Sequence, residues 1–114
     1  MLIFLTISWL GEYIHNLFEL PNLTVISPEN CLPAIVSLAL FAAWWLTSFN
    51  RVVTLLNLAW GSLHLIGGAV LSVIPFPFLP FYPEQTLNHY AAHVGYGLAQ
   101  LPLIIGAIRE LRTR

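Results

Sequence analysis

The chain has 114 residues, 58% of them hydrophobic and 8% charged, with a formal net charge of −1. So few polar groups cannot cover a water-exposed globule, which excludes a soluble domain and leaves the lipid bilayer as the chain's solvent. Nucleic acid is not expected as a partner.

Four apolar runs, residues 2–20, 31–49, 52–74 and 87–108, each approach the ~20 residues needed to cross a hydrocarbon core. Backbone groups at that depth must be hydrogen-bonded within the chain, so each run is expected to be a helix. With their start signals included, the predicted helices cover approximately 2–20, 28–49, 52–74 and 83–108. This is an all-α integral membrane four-helix bundle of two transmembrane hairpins, a single domain over residues 1–114.

The first run has no Lys or Arg in Met1–Ile7 and no small-residue cleavage site before Pro21, so it reads as a retained helix and not as a signal peptide. There is no lysine. The arginines are Arg51, between runs two and three, and Arg109, Arg112 and Arg114, after run four. The positive-inside rule therefore puts both termini and the Arg51 turn in the cytoplasm, with the 21–30 and 75–86 connections outside. The expected location is a bacterial cytoplasmic membrane, crossed several times. Asn22-Leu23-Thr24 matches a glycosylation sequon but abuts the first helix, and it is read as unused. Cys31 is the only cysteine, so no intramolecular disulfide can form.

Pro28-Glu29 and Pro83-Glu84 each put proline at a plausible first helical position with an acid in the first turn. Glu29 and Glu84 are accordingly read as helix-start residues. The connection Pro75-Phe76-Pro77-Phe78-Leu79-Pro80-Phe81-Tyr82-Pro83 excludes a helix and should lie along the outer interface, as an aromatic anchor or as a lid over the bundle's mouth. Trp44 and Trp45 fit the opposite aromatic belt.

Helical phase gathers the polar residues. On the first helix Ser8, Glu12, His15, Asn16 and Glu19 share a face; on the fourth His89, His93, Tyr96 and Gln100 do so; the third offers Asn57 and His64, and the second Ser37 and Ser48. With a rise of ~1.5 Å per residue, Glu19 and His89 fall at the outer rim, His15 and His93 a turn deeper, and Glu12, Tyr96 and His64 deeper again. Ionisable groups within a membrane span point to function by default.

Glu12-x-x-His15 has the spacing with which helical bundles hold metal ions, and His89-x-x-x-His93 presents two imidazoles on one face. The expected metal ligands are Glu12, His15, Glu19, His89 and His93, with His64, Tyr96, Asn57 and Gln100 as further members of the cluster. Mixed imidazole and carboxylate ligands suit zinc, iron or manganese. Three other readings stand beside a metal site: an accessory subunit whose polar groups only hold helices together, a lipid- or isoprenoid-handling protein using Glu/His acid–base chemistry, and a haem-binding subunit with His15 and His93, or His64 and His93, as axial ligands. Whether the site is catalytic is left open. Ala91, Gly95 and Ala99 form a small-residue stripe suited to a homo-oligomer or a larger membrane complex.

Overall fold

A computed structural model describes residues 1–47 and 50–113. The described residues form four helices and no strand: α1, Leu2–Glu19; α2, Pro28–Leu46; α3, Arg51–Leu63, prolonged by a π-helical stretch His64–Val70 and a 3-10 turn Leu71–Val73; and α4, Leu87–Arg112. The expected end of α2 at residue 49, Ser48 and Arg114 lie outside the described residues. Three segments, Pro28–Leu46, Arg51–Val73 and Leu87–Arg112, are long and apolar enough to cross a membrane. α1 is not among them. Its 18 residues include Glu12, His15, Asn16 and Glu19, which dilute its apolar character.

The fourth helix starts later than expected. Thr86 caps it by accepting the His89 N–H at 3.3 Å, so Pro83 and Glu84 belong to the preceding connection and Glu84 is not a helix-start residue. At the other end α4 runs to Arg112, past the expected limit at 108. The second helix begins on Pro28 with Glu29 in its first turn, as the start signal implied. Pro33 inside it removes the N–H that would bond the Glu29 carbonyl, and Asn16 Nδ2 of α1 donates to that oxygen instead, at 3.4 Å. Asn16 Nδ2 also donates to Asn30 Oδ1 at 2.9 Å, and Trp9 Nε1 donates to the Asn30 carbonyl at 2.9 Å. α1 and α2 are thus joined by polar bonds between the middle and C-terminal end of α1 and the start of α2.

α4 is the central element, packed against α1 on one side and α3 on the other. Close approach to α1 depends on Gly11, where a Cβ would stand 2.2 Å from the Ala99 Cβ, and on Gly106, where one would stand 2.5 Å from the Phe4 ring. Along the same seam the polar residues pair in antiparallel order. Ser8 Oγ donates to Gln100 Oε1, His15 meets His93, and Glu19 meets His89, with Glu12 and Tyr96 at the intervening rung. At the opposite end of the bundle Glu110 of α4, a residue whose role the sequence does not disclose, accepts from Trp44 Nε1 of α2 at 2.9 Å and from Thr54 Oγ1 of α3 at 3.2 Å.

The bundle is inverted relative to a soluble protein. Among the described residues, polar side chains outnumber apolar ones in the buried set, while Leu, Ile, Val and Phe dominate the exposed surface. Its long axis of 43 Å is close to the full thickness of a bilayer, about 40–45 Å with headgroups.

Candidate functional site

A cavity of about 510 Å³ opens at the end of the bundle that carries the long connection. α1 supplies Glu12, His15 and Glu19 to its wall, and α4 supplies His89, His93 and Tyr96. Gly68 comes from the π-helical stretch after α3 and Ser72 from the 3-10 turn that follows it, and Phe81, Tyr82, Pro83 and Glu84 roof it. The aromatic connection therefore covers the mouth with part of its length. Phe78 and Tyr82 are at the same time 77% and 78% exposed, as interfacial anchors would be.

The titratable groups lie in three tiers. At the rim His89 Nδ1 and Glu19 Oε2 are hydrogen-bonded, and Glu84 joins them from the connection. Ligand atoms of Glu19, Glu84 and His89 all lie within 4.8 Å of one another, a Glu/His group that could hold a metal ion. With Nδ1 engaged by Glu19, Nε2 is the ring atom of His89 left to meet another group. That atom is buried and has no hydrogen-bond partner among the described residues.

In the middle tier His15 Nε2 and His93 Nε2 stand 3.0 Å apart, their ring centres 4.3 Å apart and their planes at 75°. The surrounding hydrogen bonds fix the tautomers. Asn16 Nδ2 is committed to Asn30 Oδ1, so Asn16 Oδ1 is an acceptor, and His15 Nδ1 donates to it at 3.2 Å. The single hydroxyl hydrogen of Ser72 goes to the Gly68 carbonyl, so Ser72 Oγ accepts from His93 Nδ1 at 3.3 Å. Both protons are then on Nδ1, and two Nε2 lone pairs face each other at 3.0 Å. A proton on one Nε2, or a metal ion held beside the pair by both, makes that arrangement favourable.

In the deepest tier His64 Nδ1 and the Tyr96 hydroxyl share a hydrogen bond, and Glu12 Oε2 lies 3.6 Å from the same nitrogen with no hydrogen-bond partner among the described residues. Trp60 abuts the His64 ring, the centroids 4.3 Å apart. The π-helical stretch begins at His64, and Gly68 within it leaves space for Tyr96: a Cβ there would be 2.7 Å from the Tyr96 hydroxyl oxygen. π-Helical turns often mark functional sites, because the extra residue re-aims the side chains around it.

The five expected metal ligands thus share one cavity, with Glu19 and His89 at its mouth, His15 and His93 below, and Glu12 deepest. Tyr96 joins the same wall and His64 bonds to it, whereas Gln100 holds α4 to α1 through Ser8. Asn57 is buried and bonds the Val53 carbonyl of its own helix at 2.9 Å, with Oδ1 unpartnered among the described residues. Sequence reasoning missed Glu84 and Ser72. The Thr86 cap was the signal that could have moved Glu84 out of the helix. Ser72 had none, since its place depends on the π-helical register. Comparison with family models, curated proteins and solved structures found no match to the chain.

Proposed function

We propose that the chain is a multi-pass membrane protein that binds a divalent transition-metal ion, zinc, iron or manganese, through His15 and His93, with Glu19, Glu84 and His89 as an outer station at the cavity mouth. The observation that carries this reading is the convergence of two Nε2 lone pairs whose Nδ1 atoms are already engaged as donors. Metal-binding histidines are held in this way, the second nitrogen donating to an oriented acceptor. Two nitrogens each ~2.0–2.1 Å from one ion are separated by about 2.9 Å at a right angle and about 3.3 Å in a tetrahedron, which brackets 3.0 Å. Cavity carboxylates and water would complete the shell. Haem fits less well, because a macrocycle would have to stand between two nitrogens only 3.0 Å apart.

The bundle spans the membrane with α1 as its fourth crossing helix, since 18 residues rise ~27 Å and its polar face turns inward against α4. Both termini are cytoplasmic and the cavity opens to the outer face.

Metal content of detergent-purified protein, after loading with each ion and desalting, tests the reading. Wild type should retain about one ion per chain at the inner site, and His15→Ala and His93→Ala should each lose it while remaining monodisperse. Glu84→Gln should spare it. If wild type holds no metal and His93→Ala loses only thermal stability, the cluster is scaffolding and the accessory-subunit reading replaces this one.

A further inference from the structure

Below His15 and His93 the polar cavity ends on three groups that those two histidines leave unused: Glu12 of α1, Tyr96 of α4, and His64, which opens the π-helical stretch. The Tyr96 hydroxyl has His64 Nδ1 as its single polar partner among the described residues, so it donates there and the neutral His64 ring carries its proton on Nε2. Glu12 Oε2 stands 3.6 Å from the same Nδ1, too far for a hydrogen bond, and is buried with no partner among the described residues. A proton on Glu12 would remove its charge but leave a hydroxyl with no acceptor in reach. A cation seated among the carboxylate oxygen, the phenol oxygen and the imidazole nitrogen satisfies all three at once. Gly68 keeps the space open, since a Cβ there would press on the Tyr96 ring at 2.8 Å.

We infer that Glu12, His64 and Tyr96 form a second metal site at the cavity floor and hold a ferric ion. On binding, Tyr96 releases its phenolic proton to cavity water, and the phenolate oxygen, the His64 Nδ1 lone pair and the Glu12 carboxylate become the ligands. Two anionic oxygens and one imidazole make a harder set than His15 and His93, which suits trivalent iron, and tyrosinate is an iron ligand in haem proteins. Ligand atoms ~2.0–2.2 Å from one ion stand about 2.8–3.6 Å apart. The Glu12–His64 separation is already in that range, and His64 and Tyr96 need only part slightly. Glu12 lies three residues before His15, a rise of ~4.5 Å, close to the ~3.5–4 Å between the ions of two-metal centres. Glu-x-x-His is also the spacing of dinuclear helical bundles. The floor site has its own ligands and does not depend on the His15/His93 reading; with both filled, the cavity holds a dinuclear centre.

Iron–tyrosinate spectroscopy tests the site. Detergent-purified full-length protein is loaded with ferric nitrilotriacetate, desalted, and read by iron content, visible absorption and resonance Raman scattering. Expected is a phenolate-to-iron charge-transfer band with enhanced tyrosinate vibrations. Tyr96→Phe keeps the ring against Gly68 and should cut the band at least about tenfold, with elution and helical signal unchanged, and Glu12→Gln should weaken ferric retention by a similar factor, since even an outer-shell partner is worth that much. His93→Ala should leave the band in place while removing zinc from the His15/His93 pair, so the two sites can fail separately. A colourless ferric protein would overturn the proposal, as would a band undiminished in Tyr96→Phe, which would come from Tyr13, Tyr82 or Tyr90. So would ferric retention unchanged in Glu12→Gln, or a band lost in His93→Ala.

Discussion

Ser72 shows how much of the candidate site rests on a residue that is not itself a ligand. Its hydrogen is spent on the Gly68 carbonyl, which leaves its oxygen to accept from His93 Nδ1 and so turns the His93 lone pair toward His15. Ser72→Ala should therefore weaken metal binding by about 10–100-fold with little change in thermal stability, as loss of such an orienting partner does elsewhere. Titration of the apo-protein with a competing chelator would measure it, and unchanged affinity would remove Ser72 from the account. The histidines and glutamates were legible from spacing alone, because three- and four-residue repeats put them on one face whatever the tertiary structure. Which nitrogen of each ring faces its neighbour was not legible, since it depends on Asn16, Asn30 and Ser72, drawn from three different elements.

At the level of the helix, the contrast between two glycines is informative. The Ala91, Gly95 and Ala99 stripe suggests close contact along its length, yet within the chain only Ala99 meets another helix, at Gly11, while Ala91 and Gly95 stay exposed. Gly11→Ala should destabilise the bundle by about 1–3 kcal/mol through overpacking, read from the unfolding midpoint in detergent and denaturant. Gly95→Leu should shift that midpoint hardly at all. Were the two to exchange effects, the α1–α4 seam would be misassigned. Four helices could be read from hydropathy, and the Pro28 start of α2 from its Pro-Glu signal. The π-helical stretch could not: His64–Val70 is as apolar as an ordinary helix, and its register answers to Tyr96 packing on Gly68. The start of α4 was misplaced because Pro83 and Thr86 both signal a helix N-terminus, and the side-chain cap prevails.

For the molecule as a whole, the arginine distribution predicts orientation. A reporter fused to the C-terminus should report the cytoplasm and one inserted at Leu79 the outer side. The reverse would put the polar cavity on the inner face and change the source of its metal. The polar seam between α1 and α4 has a further consequence for assembly. Its rungs recur every three or four residues on both helices, so a slide of one turn, ~5.4 Å, would set His89 against His15, His93 against Glu12 and Tyr96 against Ser8. Polar would still face polar. The ladder is therefore degenerate, like a vernier with several coincidences, and cannot by itself select an alignment. Selection falls to the two steric notches, Gly11 under Ala99 and Gly106 under Phe4, which coincide in one alignment only.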